Sequence, residues 1–149
     1  MKSAWKVIAF ASLGLTACSN PDTPGGRAAD ARHESFEELG EIAENLQDEL
    51  KGEQPDAKAI QAAAARLEAM AGELPGWFPA GSGPDDGLYT EALQAVWTQA
   101  GAFKTASDNF TNAAQNLNAV AQTGDVAKIR SAAQETLKSC KACHDKFRE

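Results

Sequence analysis

The sequence predicts an all-α protein, an antiparallel four-helix bundle, and three observations lead to this fold class. Apolar residues recur at steps of three and four in four separate stretches, which is the spacing of an amphipathic helix. No stretch alternates with a period of two, and Val, Ile and Thr are sparse, so a sheet is not expected. The stretches are joined mostly by short connections, which favours antiparallel neighbours.

The first two predicted helices are delimited by glycine and proline. The first apolar stripe covers residues 36–50 and stops at Gly52, and the second covers residues 60–74 and ends before Pro75. Residues 75–87, "PGWFPAGSGPDDG", contain three prolines and four glycines. This composition predicts a loop.

The third stripe is the longest and covers residues 93–121. Gly101 lies off the stripe, so we expect it to bend this helix without breaking it. Gly124 and Asp125 form a stop-and-restart signal, after which the fourth stripe covers residues 126–147. Many positions on these stripes are alanine, which either lets helices approach closely or leaves space for something other than a side chain.

The beginning of the chain has the pattern of an export signal. Lys2 and Lys6 precede a short apolar run, too short to span a bilayer, so residues 1–17 are predicted to be a signal peptide. The run ends in "LTAC", which resembles a bacterial lipobox and predicts a lipid on Cys18. The alternatives are a short buried helix, or ordinary cleavage that leaves Cys18 unmodified.

The expected organisation follows from this signal. Residues 18–31 are rich in Pro, Gly and Asp and are predicted to be a flexible, lipidated tether, and residues 32–149 the folded domain. The predicted location is the periplasm, as a membrane-anchored lipoprotein. Because Ser19 rather than aspartate follows the cysteine, the outer membrane is favoured over the inner one.

The net charge of the chain limits the kinds of partner that it is expected to bind. The formal net charge is −7, and loss of Lys2 and Lys6 with the signal would make it −9. The sequence contains no basic run, which argues against a nucleic-acid partner. An acidic surface suits redox partner proteins that present positive patches.

The end of the chain carries the residues with distinctive chemistry, "CKACH". This is the C-x-x-C-H pattern of covalent c-type haem attachment. On a helix Cys140, Cys143 and His144 share one side, so two thiols can form thioethers with the haem while the imidazole meets the iron. A thioredoxin-like dithiol, a zinc site completed by His33 and carboxylates, and a plain disulfide are the alternatives.

The chain resembles a known family, the class II c-type cytochromes, and within them cytochrome c prime. The resemblance covers about residues 32–148. "ELKGEQPD" is similar to the family's K-G-x-x-P turn, "GWFPAGS" to its F-P-x-G-S loop, "TGDVAKIRSA" to the segment between its last two helices, and "CKACHDKFR" to its ending. The resemblance implies one haem c, attached covalently near the C-terminus of a four-helix bundle.

The resemblance also implies roles for individual residues. Cys140 and Cys143 would attach the haem, His144 would be the proximal iron ligand, and Arg148 would be the basic residue beside that histidine. Arg32 would lie near the haem propionates, the alternative being a solvated charge before the first helix. Pocket-wall or purely structural roles are implied for Trp77, Phe78 and Trp97.

Phe36 corresponds to the family position that faces the distal side of the iron. Low-spin relatives place a methionine ligand there, whereas the only methionine after the signal is Met70, on the second helix. The implied iron is five-coordinate and high-spin. His33, three residues before Phe36, is the one rival for a sixth ligand.

The expected function is therefore binding of nitric oxide or carbon monoxide, electron transfer in the periplasm, or both, without enzymatic activity. A low-spin electron carrier is the first alternative and a peroxidase-like enzyme the last. The family resemblance also implies a homodimer formed through the first two helices, although the outer face of the first helix, as in "ENLQDE", is too polar to support one unaided.

Overall fold

The structure, a computed structural model, describes residues 20–149, and within that range the fold is all-helical. The signal peptide predicted for residues 1–17 and the lipidation predicted for Cys18 lie outside the described residues. The five α-helices of the described range are α1 (Pro24–Lys51), α2 (Ala57–Glu73), α3 (Ala95–Thr98), α4 (Ala100–Ala121) and α5 (Val126–Phe147). The bundle consists of α1, α2, α4 and α5, as the sequence predicts.

The apolar stripes meet in one core. Ile60, Leu67 and Leu117 are at most 2% exposed, which explains the amphipathic pattern of α2 and α4. Alanines fill the narrow parts of the seam, where Ala64 and Ala114 have no exposed surface at all. The alanine-rich positions of these two helices therefore serve close packing.

The first helix begins earlier than predicted. Residues 24–31 are helical, so the expected tether over residues 18–31 is wrong for most of its length. The start signal is local, because the Thr23 hydroxyl accepts a hydrogen bond from the Gly26 N–H at 3.0 Å and Pro24 occupies the first helical turn. The helix extends through Arg32, so that residue lies within a helix and not before one.

The third predicted helix is also corrected. It is interrupted at Gln99 (φ −117°, ψ 44°), which separates α3 from α4, whereas Gly101 lies inside α4. Leu93 is not helical, because its N–H donates to the Phe147 carbonyl at 2.9 Å beside an antiparallel bridge between Ala92 and Arg148. The backbone at Ala92 and Leu93 therefore pairs with the C-terminal residues Phe147 and Arg148.

The predicted boundary before α5 is confirmed. Gly124 has φ 70°, a left-handed conformation that glycine adopts without strain. The Asp125 carboxylate then accepts a hydrogen bond from the Lys128 N–H at 3.1 Å and caps α5. This cap fixes where the last helix starts, and with it the rotation of the C-terminal motif about the helix axis.

The four long helices do not pack equally. Helix α2 packs against α1 and α4, and α4 packs along α5, whereas α1 and α5 scarcely touch. The gap between α1 and α5 leaves an open space inside the bundle. The alanines of α2 and α4 leave no such space, because the helices pack closely around them. Among residues 20–149, no helix has the length and apolar character needed to cross a membrane.

Candidate haem-binding site

The gap between α1 and α5 is a cavity of about 800 Å³. That volume lies in the range of pockets that hold small-molecule cofactors, about 300–1,000 Å³. Residues of α1, of the loop before α3, of α4 and of α5 line it. Three of the four bundle helices therefore bound the cavity, and α2 contributes no lining residue.

The structure brings the three residues of the C-terminal motif to this cavity. Cys140, Cys143 and His144 all line it, and each is half-buried on α5. Earlier turns of the same stripe bury Ile129 and Ala133 in the core. The apolar stripe of α5 therefore packs in the core along the first half of the helix and lines the cavity along the second half.

The two thiols are kept protonated. Burial, with a contribution from the neighbouring Cys143, raises the pKa of Cys140 to about 11, and burial also raises the pKa of Cys143. Cys140 and Cys143 are not joined by a disulfide. A catalytic dithiol needs the opposite shift, towards thiolate, so these environments do not suit a thioredoxin-like reaction.

His144 is held in its neutral form. Burial and the positive charge of Arg148 lower its pKa, against the opposing effect of the Asp145 and Glu91 carboxylates. A neutral imidazole has a free nitrogen lone pair and is the form that ligates a metal. Among the described residues no group of three or more His, Cys, Asp or Glu side chains is placed to hold a metal ion, which leaves the motif short of the four ligands of a structural zinc site.

The α1 side of the cavity is aromatic. Phe36 lines it from α1 and meets Trp77 edge-on, with ring centroids 5.2 Å apart. It also meets Phe78, another lining residue, at 6.1 Å. Phe36 therefore faces the space that α5 bounds with His144, as the family resemblance implies.

The predicted pocket-wall residues divide into two groups. Phe78 lines the cavity, whereas Trp77 and Trp97 are not among the lining residues and support it from behind. Trp97 packs edge-on against Phe78 at 6.0 Å, and its indole N–H donates to the Pro79 carbonyl at 3.1 Å. Trp97 thus fixes the wall rather than forming it.

Arg32 is buried, which excludes the solvated alternative. It is 3% exposed and lines the cavity, and its guanidinium lies over the Phe78 ring at 4.9 Å. It donates to the Trp77 carbonyl at 3.1 Å, to the Ser82 hydroxyl and carbonyl at 3.0 and 2.9 Å, and to the Thr90 hydroxyl at 2.8 Å. Burial lowers its pKa, but a guanidinium remains charged in proteins.

Arg148 lines the cavity four residues after His144 and has a partner that the sequence did not reveal. Its Nε donates to the Glu91 carboxylate at 2.7 Å, and its Nη2 lies 2.5 Å from the same oxygen. The backbone strengthens this contact, since the Glu149 N–H donates to the Glu91 carbonyl at 3.0 Å. Glu91 therefore sets the position of Arg148.

Two further lining residues bear on ligand binding. His33 reaches the rim of the cavity, but its side chain is 64% exposed and its Nε2 lies 3.3 Å from Glu37. Ser107 was missed, because it reads as one more small residue on the α4 stripe. It is 2% exposed, and its hydroxyl has no hydrogen-bond partner among the described residues.

These features fit a haem. Cys140, Cys143 and the neutral His144 imidazole share one wall, an aromatic wall faces them, and Arg32 and Arg148 add positive charge to the lining. The unsatisfied Ser107 hydroxyl marks a polar contact that the protein alone does not complete. Fold and site together define a c-type haem protein built on a four-helix bundle.

The comparisons give the family. Residues 27–148 match the family model for cytochrome c′ (cytochrome c prime), and the chain belongs to that family. Its cofactor is one covalently bound haem c, as in other members. The chain is 51% identical over 69 residues to cytochrome c′ of Rubrivivax gelatinosus, a match that spans 46% of this chain and only 54% of that relative.

Solved structures agree with the fold. The crystal structure of cytochrome c′ from Rubrivivax gelatinosus has a TM-score of 0.76 and 36% identity, and covers 86% of this chain and 98% of that one. A nitric oxide complex of a variant of cytochrome c′ from Alcaligenes xylosoxidans has a TM-score of 0.76 and 27% identity, and covers 84% of this chain and 96% of that one.

Proposed function

We propose that this chain binds nitric oxide at a five-coordinate, high-spin haem iron, with His144 as the protein ligand. The observation that carries the proposal is Phe36, a hydrocarbon ring on the cavity wall contributed by α1. Phenylalanine has no lone pair to donate to iron. Met70, which could donate one, is buried in α2 and is not among the cavity residues.

The roles of the remaining residues follow from their positions. Cys140 and Cys143 would hold the haem through thioethers, and the haem would supply an iron with one open coordination position. Arg32 and Arg148 would balance the charge of its propionates. The Arg32 hydrogen bonds also hold Trp77, which keeps the aromatic wall in place behind Phe36.

The chemistry of this wall favours some gases over others. Bound dioxygen is stabilised by hydrogen-bond donors, and the Phe36 and Phe78 rings that line this wall offer none. Nitric oxide and carbon monoxide depend less on such donors. The Phe36 ring must move aside for either ligand, so binding should be slow. A nitric oxide complex of a related cytochrome c′ supports the same assignment.

Electron transfer is the second candidate, and the half-buried state of Cys140, Cys143 and His144 favours it. Attachment residues that are partly exposed place an edge of the cofactor near the surface, where redox partner proteins could approach. If the exposed His33 turned inwards and bound the iron, the protein would be a low-spin electron carrier.

Peroxidase chemistry is disfavoured by the state of the two residues that could support it. Peroxidases use a free distal histidine and arginine to cleave the O–O bond. Here the Arg32 guanidinium is taken up by four acceptors, and His33 contacts Glu37 at the rim.

We also propose that the protein is a lipoprotein of the periplasm, with the signal over residues 1–17 and the lipid on Cys18, attached to the outer rather than to the inner membrane. A homodimer formed through α1 and α2 stays a prediction.

Absorbance and electron paramagnetic resonance spectra of the purified, haem-loaded protein test the proposed function. We expect high-spin ferric and five-coordinate ferrous spectra, and a new spectrum on addition of nitric oxide. Low-spin spectra in both oxidation states would contradict the proposal and support the electron carrier. A His33→Ala variant separates the two cases, because it would convert a low-spin protein to high spin only if His33 is the sixth ligand.

A further inference from the structure

The Asn20 side chain, at the start of the described chain, forms three hydrogen bonds with Asp30 and Tyr89 at the rim of the cavity, and we call these three bonds the clamp. The Asn20 side chain donates to the Asp30 carboxylate at 2.7 Å and to the Tyr89 carbonyl at 2.9 Å, and it accepts a hydrogen bond from the Tyr89 N–H at 2.7 Å. All three residues line the haem cavity. The start of the described chain is thus bound to the rim on two sides.

The residues after Asn20 are packed rather than free. The Thr23 N–H donates to the Pro21 carbonyl at 2.7 Å, directly before α1. Gly26 lies so close that a Cβ at that position would clash with the same Pro21 carbonyl. A flexible tether therefore does not exist between Asn20 and α1.

This packing shortens the connection to the predicted lipid. Only Ser19 separates Asn20 from Cys18, and two residue steps span at most about 7 Å of extended chain. A flexible tether from Cys18 to Ala31, which is 13 residue steps, would have had an end-to-end distance of about 20 Å, enough for the domain to rotate freely. The two residue steps between Cys18 and Asn20 are too short to allow free rotation of the domain.

We infer that the lipid on Cys18 holds the mouth of the haem cavity against the headgroup layer of the bilayer, an inference that rests on the proposed lipidation. Tyr89, 77% exposed at this mouth, has an aromatic ring with a polar tip, the kind of side chain enriched at membrane interfaces. The exposed Asp30 and Glu91 carboxylates keep the rim within the polar layer. Nitric oxide is small, uncharged and soluble in lipid, so it enters the cavity from the membrane side.

Nitroxide labels at the two ends of the bundle test this orientation. One label is attached at Tyr89→Cys and the matched control at Glu53→Cys, which is exposed just beyond the far end of α1. Along α1, Asp30, which Asn20 links to Tyr89, lies about 32 Å from Lys51. The full-length, processed and haem-loaded lipoprotein is reconstituted into vesicles of phosphatidylethanolamine and phosphatidylglycerol, with and without a lipid that carries chelated nickel on its headgroup.

We expect nickel to relax the label at position 89 several-fold more strongly than the label at position 53. An Asn20→Ala substitution, which keeps Cys18 but removes the clamp, should abolish most of that difference. Equal relaxation at both positions, or no effect of Asn20→Ala, in protein that floats with the vesicles overturns the orientation and leaves the lipid anchor intact.

Two controls distinguish failure of the proposed orientation from failure of the proposed lipid anchor or of the proposed nitric oxide binding. Protein that does not float with the vesicles overturns the anchor and the orientation together. Binding of nitric oxide is measured independently on a soluble Cys18→Ala protein, so failure of the orientation and failure of the gas-binding proposal give different results.

Discussion

Shortening Phe36 to alanine should accelerate binding of carbon monoxide to the ferrous protein. The ring is half-buried and lies in the path to the open side of the iron under the proposed function. To admit a ligand it must leave two edge-on partners, Trp77 at 5.2 Å and Phe78 at 6.1 Å. The cost of leaving them is the barrier that Phe36→Ala removes.

The size of the effect follows from those contacts. An aromatic pair of this kind contributes about 0.5–1.5 kcal/mol, so breaking two costs about 1–3 kcal/mol. Since each 1.36 kcal/mol is a factor of ten in rate, the association rate should rise by about 5- to 150-fold. Phe36→Leu, which keeps apolar bulk but loses the aromatic contacts, should give an intermediate rate.

Stopped-flow or flash-photolysis measurements on ferrous protein provide the assay. A core variant that does not touch the cavity, Ile60→Val, controls for general destabilisation, because it should cost about 0.5–1.5 kcal/mol of stability without changing the rate. An unchanged rate in a folded, high-spin Phe36→Ala protein would refute the assignment of Phe36 as the gate.

Four further predictions follow from the same structure. Phe36→Met should convert the iron to a low-spin, six-coordinate state visible in the absorbance spectrum, and a spectrum that stays high-spin would contradict the position assigned to this residue. Replacing both Cys140 and Cys143 with serine should leave no haem on the chain after denaturing electrophoresis, whereas retained haem would exclude thioether attachment. Arg32→Ala should lower the free energy of unfolding by about 3 kcal/mol or more, because it deletes four charge-assisted hydrogen bonds made by a buried guanidinium. Arg32→Lys should recover only part of this loss in urea titrations; full recovery would mean that the fork geometry is unimportant. Asp125→Ala should lower the melting temperature, because it removes the cap of α5. The Lys128 backbone N–H holds the Asp125 pKa below its usual value, so this contribution is present above the unfolded carboxyl pKa of about 4, and thermal melts of the two proteins should converge as the pH falls through the lower, folded pKa.

The parts of the fold that could be predicted from the sequence are those with local signals. The end of α1 at Gly52, the start of α5 after Asp125 and the C-x-x-C-H motif on one face of α5 all depend on residues within a few positions of each other. Phe36 was placed through family register, and the structure puts it on the cavity wall. For the helix ends and the C-terminal motif, the short-range pattern and the packed structure agree.

The errors arose where distant contacts override local composition. Two consecutive glycines after Pro24 disfavour a helix locally, yet α1 includes both, and Gly26 is needed because the Pro21 carbonyl packs against it. The periodicity across residues 93–121 is genuine, since Val96 and Phe103 both reach the core. The helix is nevertheless interrupted at Gln99, and the backbone before α3 pairs with the C-terminus instead of being helical.

Arg32 shows how these distant contacts create the site. A charged residue flanked by Ala31 and His33 gives no sequence signal for burial, because its acceptors at Trp77, Ser82 and Thr90 lie 45 to 58 residues away. Four hydrogen bonds from one guanidinium fix the loop from Trp77 to Thr90 against α1. That loop carries the Phe78 ring of the wall and, at its end, the Tyr89 backbone that clamps Asn20. One buried arginine therefore couples the aromatic wall behind Phe36 to the attachment of the N-terminal segment, and loss of Arg32 should disturb both ends of the proposed ligand path.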